Sequence, residues 1–130
     1  MHAIGLYLRK IEHMIGAIAG DIIGSRFEFN NIKSKDFELF SEKSRFTDDT
    51  VLTLATADSL LNHKPYIETY KSWALEYPNR GFGHHFNRWM HSKSPFPYNS
   101  WGNGSAMRIS PVGWAFDDAE KVLEEAKKSA

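Results

Sequence analysis

The sequence predicts an all-α fold. Apolar residues recur at three- and four-residue steps in several windows. N-cap chemistry stands before two of those windows, at Thr47 and near Asp117. No long alternating pattern reads as a strand, and no repeat or heptad series occurs.

Taken in order, residues 1–10 read as an irregular leader. A helix is expected from about Ile11 to Ile23, with Ile11, Ile15, Ile18 and Ile22 on one face. Gly16 and Gly20 lie four apart on an adjoining face, where small residues would let another backbone approach. Residues 30–45 are rich in Lys, Asp and Glu and read as a solvated loop anchored by Phe37 and Leu39–Phe40. Thr47 then caps a helix whose first turn holds Asp48 and Asp49 and which stops before Pro65. Tyr66 to Tyr77 reads as another helix, stopped at Pro78. Phe82, Phe86, Trp89 and Met90 share one helical face. Ser92 to Asn99 is turn-rich, and Gly102–Ser105 reads as a tight loop. A last helix is expected from Asp117, with Glu120 completing a capping box and Val122, Leu123 and Ala126 inside.

The chain has 130 residues, the length of one domain. Its hydrophobic content of 42% fits a globular chain and argues against wholesale disorder. Lys plus Arg and Asp plus Glu are both 16, so no net field steers the chain to nucleic acid or anionic membrane. Zero net charge eases self-association instead. With no cysteine, disulfides, zinc-thiolate sites and thiol catalysis are excluded. The run from Met14 to Ile23 follows Arg9 and Lys10 as a signal sequence would. Asp21 interrupts it, and it falls far short of the ~20 apolar residues that span a bilayer. A cytoplasmic protein is the expectation.

Three segments carry chemistry. In Thr47–Asp48–Asp49, two adjacent carboxylates can converge on a ligand only near a helix end. Free N–H groups and the helix dipole keep them ionised there. Hard oxygen donors of this kind suit a magnesium-type cation, and Thr47 could add its hydroxyl. A well-capped helix start needs no metal and explains the same residues. In Gly20–Asp21–Ile22–Ile23–Gly24–Ser25–Arg26–Phe27–Glu28, the glycine spacing is wrong for a dinucleotide fingerprint. Asp21 is costly in an apolar run unless it is paired. Glu28 follows an expected helix end and could face a cleft. Capping or loop-bracing for Asp21 and a solvated turn for Glu28 are the plain alternatives. In Gly102–Asn103–Gly104–Ser105–Ala106–Met107–Arg108, glycines permit positive φ, and successive N–H groups can cradle phosphate. An ordinary Asn-Gly turn is the alternative. Arg108 would pair with an internal acid or touch phosphate. His84, His85 and His91 read as surface residues, since no acid sits at ligand spacing. Trp73, Trp89, Trp101 and Trp114 read as core or groove residues, and Trp101 or Tyr98 could stack an adenine.

Taken together and in this order, the three segments resemble the ADP-ribosylglycohydrolase family over about residues 14–116. The resemblance implies an all-helical orthogonal bundle with two magnesium or manganese ions in a central cleft. It implies hydrolysis of the glycosidic bond between ADP-ribose and a modified side chain or small acceptor. By motif position, Thr47, Asp48 and Asp49 would be metal ligands, Glu28 the acid near the scissile ribose, and Asp21 a brace of the cleft. Gly102, Asn103, Gly104, Ser105 and Met107 would line the ADP-ribose groove. Cleavage would develop oxocarbenium character at the anomeric carbon while metal ions orient ribose and water.

The chain also departs from the family. Members are usually at least twice this length, and their second half supplies a Gly-Asp-Thr-Asp-Thr-type segment that completes the metal pair. Nothing after Ser110 matches it, and a histidine-containing loop is absent. At most weak binding of a single ion is then expected. The alternative to a hydrolase is a non-catalytic, truncated fragment that binds nucleotide or metal, or serves in interaction.

Overall fold

The computed structural model describes residues 14–94 and 96–130. These residues form helices and loops, with no strand among them. Helix α1 covers described residues 14–24 and passes into a 3-10 turn at Ser25–Phe27. The others are α2 (Asp48–Asn62), α3 (Tyr66–Glu76), α4 (His84–Met90), α5 (Gly104–Met107), α6 (Ser110–Ala115) and α7 (Ala119–Ser129). The leader expected at residues 1–10 and the start of the first helix lie outside the described residues.

Helix α2 is the centre. It begins where the sequence places its cap: Thr47 is extended, and its hydroxyl accepts from Asp49 N. It ends at His63, whose left-handed backbone (φ 52°) turns the chain before Pro65. Val51, Leu52 and Ala55 of α2 pack against Tyr70 and Ala74 of α3 and against Phe82, Trp89 and Met90 at α4. Burying one side chain the size of Leu52 is worth about 1.5–3 kcal/mol, so this cluster holds α2, α3 and α4 as a unit. Thr56 stays in the core at no polar cost. Its hydroxyl donates to Leu52 O at 2.8 Å and meets the Tyr70 hydroxyl at 3.0 Å. The far side of α2 carries α6.

The structure corrects several local expectations. Helix α6 has no counterpart in the sequence reading. The glycines of α1 admit no close neighbour, since a Cβ at Gly16 or Gly20 would meet nothing within 4 Å. Of the isoleucine stripe, Ile15 is 59% exposed, Ile18 and Ile22 are half-buried, and Ile11 lies outside the described residues. Of the loop anchors, Leu39 and Phe40 are exposed, and Phe37 makes one edge contact with Phe27 at 5.2 Å. The cap of α7 is Asp118, whose carboxylate accepts from Lys121 N at 2.8 Å. That places Glu120 one position too early to close the expected capping box. No helix among the described residues is long and apolar enough to cross a membrane.

Candidate functional site

The start of α2 is tied to α1 by one carboxylate. Asp21 Oδ2 accepts from Thr47 N at 2.7 Å, Thr50 N at 3.2 Å and Thr50 Oγ1 at 2.5 Å. Asp21 Oδ1 accepts from Thr47 Oγ1 at 2.6 Å. Helix starts leave backbone N–H groups unpaired, and here a side chain from another helix satisfies two of the donors at the α2 start. Thr47 Oγ1 thus donates to Asp21 and accepts from Asp49 N at 3.3 Å, which leaves it one lone pair.

A second segment crosses the same helix end. Asp48 N donates to Arg80 O at 2.8 Å, and the Arg80 guanidinium lies 3.7 Å from the Phe46 ring centre. The crossing needs Gly81, which adopts φ +98°, and a Cβ there would sit 3.4 Å from Asp48 Oδ1. The sequence reading used Gly81 only as a helix stop. Gly81→Ala is expected to cost about 1–2 kcal/mol from backbone strain alone. Urea denaturation reads this loss, and an unchanged midpoint would show that the loop relaxes freely.

The acids sit in one another's field. Burial, then Asp49, raises the Asp48 carboxyl from its ordinary 3.8 to about 6, and Glu28 and Asp21 add to the rise. Burial, then Asp21 and Glu28, raises Asp49 as well, while the hydrogen bond from Thr47 opposes this. Carboxylates placed so close favour a proton or a cation between them.

Asp48 also lines a groove of about 690 Å³. Leu52, Tyr70, Trp89 and Tyr98 form its walls, and Gly102, Asn103, Gly104, Ser105 and Met107 all line it. The groove therefore brings one residue of the acidic segment together with every glycine-segment residue named from the sequence. Thr47, Asp49, Glu28 and Asp21 are not among its lining residues. Tyr98 packs against Trp89 with ring centres 6.0 Å apart, and Trp101 stands fully exposed at the rim. His84, His85 and His91 are exposed, and His84 pairs with Arg88 at 2.9 Å. A second cavity of about 740 Å³ lies between the end of α2, α6 and α7, bordered by Leu60, Leu61, Pro111 and Phe116. It contains none of the acids named above.

The glycine segment differs from the tight loop expected at Gly102–Ser105. Gly104 and Ser105 belong to α5, with Asn103 O accepting from Ala106 N at 2.8 Å and Met107 N at 3.0 Å. Neither Gly102 nor Gly104 uses positive φ. Among the described glycines, Gly81 does. No Asp or Glu side chain among the described residues pairs with Arg108, so the internal acid expected for it is not met. Its guanidinium lies 4.1 Å from the Tyr70 ring centre and donates to Ser129 O at 2.6 Å and Ala130 O at 3.4 Å.

The residues present do not fit a two-ion site. Among the described residues, no group of three or more His, Asp or Glu side chains could hold a metal ion. Asp48, Asp49 and the spare lone pair of Thr47 offer hard oxygen donors at the helix start, a set suited at best to one ion that keeps most of its waters.

The chain is helical, with an acidic helix start and a groove lined by its glycine segment, and sequence comparison places it in a family. The profile of the ADP-ribosylglycohydrolase family matches residues 6–130, so the chain belongs to that family. The match extends beyond both ends of the 14–116 stretch that carries the motifs. ADP-ribosylhydrolase ARH3 of Xenopus tropicalis is 30% identical over 146 residues, covering 89% of this chain and 42% of the relative. ADP-ribosylhydrolase ARH3 of Gallus gallus is 26% identical over 155 residues, covering 90% and 42%. That of Mus musculus is 26% identical over 152 residues, covering 90% and 41%. The chain thus spans about two-fifths of the length of these curated relatives. No solved structure matches.

Proposed function

We propose that this chain binds the ADP-ribose part of an ADP-ribosylated side chain or small acceptor and does not, by itself, turn it over efficiently. The observation that carries this reading is the single groove shared by Asp48 and Gly102, Asn103, Gly104, Ser105 and Met107. Family membership supplies the ligand class. Tyr98 and the exposed Trp101 offer aromatic faces for an adenine, and stacking of that kind is sequence-independent chemistry available to any purine. Asp48 and Asp49, with Thr47, would hold one Mg²⁺ or Mn²⁺ weakly. Glu28 would stand by as the further acid, and Asp21 would keep the helix start in place. Among the described residues no ligand cluster offers a place for the second ion of a two-metal clamp, which fixes its ions about 3.5–4 Å apart.

The hydrolase reading differs in one measurable respect. Purified chain, free of any full-length relative, is incubated with an ADP-ribosylated peptide and Mg²⁺ or Mn²⁺, and again with chelator. The expected result is measurable ADP-ribose binding by calorimetry, with release no faster in metal than in chelator. Metal-dependent release at ordinary enzymatic rates of about 1 s⁻¹ or more would overturn the binding-only reading and make the chain a hydrolase.

A further inference from the structure

We propose that helix α7 is a strap beside the groove, latched by Arg108, which opens as a unit while α2, α3 and α4 stay folded.

The sequence makes α7 a well-formed helix with little to bury. Asp118 caps it, and Lys128 pairs with Glu124 at 2.9 Å along its surface. Of its 11 residues Ser129 alone is buried, and Leu123 is 71% exposed. Helix α2, by contrast, buries eight of its 15 residues. An element with few buried apolar groups opens locally at far lower cost than the core unfolds. Two polar ties hold α7 instead. Tyr66 Oη donates to Glu125 at 3.0 Å, and the Arg108 guanidinium donates to Ser129 O at 2.6 Å and Ala130 O at 3.4 Å. Carbonyls in the last turn of a helix lack intrahelical donors and carry the negative end of its dipole, so a cation is a fitting partner for them. Arg108 is itself buried, with its guanidinium 4.1 Å from the ring centre of Tyr70 in the core. The latch thus joins a fixed side chain to a weakly packed helix. At the other end of α7, Phe116 and Asp118 are extended, which makes a joint to α6, where Pro111 and Val112 are buried. Arg108 and Ser129 both line the groove, while Lys121 and Glu125 of α7 line the second cavity. Swinging α7 on that joint removes one wall from each.

The chain has no cysteine, so one introduced thiol reports opening without background. Ser129→Cys and Val51→Cys put thiols at positions that are each 2% exposed, one in α7 and one in the core. Leu123→Cys supplies the exposed reference. Each intact chain is treated with a thiol-reactive dye in buffer, and the labelling rate is read. Ser129→Cys is expected to react at least about tenfold more slowly than Leu123→Cys and at least about tenfold faster than Val51→Cys. Arg108→Met keeps an apolar stem against Tyr70 and removes the donors. It should raise the ratio of the Ser129→Cys rate to the Val51→Cys rate about tenfold, and Tyr66→Phe should raise it about threefold. Equal rates at positions 129 and 51 overturn the proposal, because α7 then opens only when the whole chain unfolds. A Ser129→Cys rate equal to that of Leu123→Cys overturns it too, since α7 is then not latched at all. An Arg108→Met change that leaves the ratio where it was makes Arg108 a support of the core and overturns the latch. If Arg108→Met fails to fold, Tyr66→Phe and the three rates without it decide the matter.

Discussion

Asp21→Ala is expected to destabilise the chain by about 3–4 kcal/mol, through four donors left without an acceptor at a half-buried helix start. Two of the four are backbone N–H groups at Thr47 and Thr50, and two are the hydroxyls of the same residues. Each unsatisfied donor costs about 1–3 kcal/mol when fully buried, and water entering a half-open site recovers part of that. Asp21→Asn should lose about half as much, because the amide keeps one accepting oxygen and turns a donor toward donors. Urea denaturation of both variants measures the effect, and the Asn variant remains readable if the Ala variant is unfolded in buffer. A loss below about 1 kcal/mol in Asp21→Ala would mean that the threonines find other partners, and that α1 does not hold α2 in place.

What was legible in the sequence follows the range of the interactions. The start of α2 could be read because capping is local: Thr47 accepts from a residue two positions on. Pro65 and Pro78 punctuate α3 for the same reason. Asp21 could be flagged as an acid needing partners, but those partners lie 26 and 29 positions away, which no spacing rule reaches. Gly81 escaped notice as a site residue because its positive φ serves a crossing segment. Gly102 and Gly104 were credited with that freedom and do not use it. The cap of α7 slipped by one residue because Asp117 and Asp118 are both good caps, and backbone geometry chooses between them. Gly16 and Gly20 show the limit of composition: small residues permit close packing without causing it. The groove was legible only as separate residues, since α2, α5 and α7 must fold together before Asp48, Gly102 and Arg108 share a cavity.

The acids at the start of α2 give the other large effect, which reverses sign with the ligand. Asp48→Asn with Asp49→Asn should lower Mn²⁺ affinity by at least about tenfold, because neutral amides replace the charged oxygen donors. Thr47 still caps the helix in this variant, so its start survives. In metal-free buffer the same variant should be more stable than wild type at pH 7.5. The sign follows from the direction of the shifts. Asp48 titrates at about 6 in the fold against an ordinary 3.8, and Asp49 is displaced the same way. A carboxyl raised by folding leaves the fold fully favoured below the ordinary value and penalises it as pH rises through the folded value. Wild type therefore loses stability between about pH 4 and pH 7 through these groups, while the variant does not. The partial exposure of both acids screens the cost, which leaves a difference on the order of 1–2 kcal/mol at pH 7.5. That difference should shrink to nearly nothing at pH 4. Asp58, lowered chiefly by the Trp73 hydrogen bond, titrates in the opposite sense and is common to both chains, so it cancels in the comparison. Paired urea melts at pH 4, 6 and 7.5 with chelator, and calorimetry with Mn²⁺ at pH 7.5, read the two halves. A variant less stable than wild type at pH 7.5 without metal would show that the carboxylates stabilise the helix start more than they repel each other. Equal Mn²⁺ affinity in both chains would place the cation elsewhere.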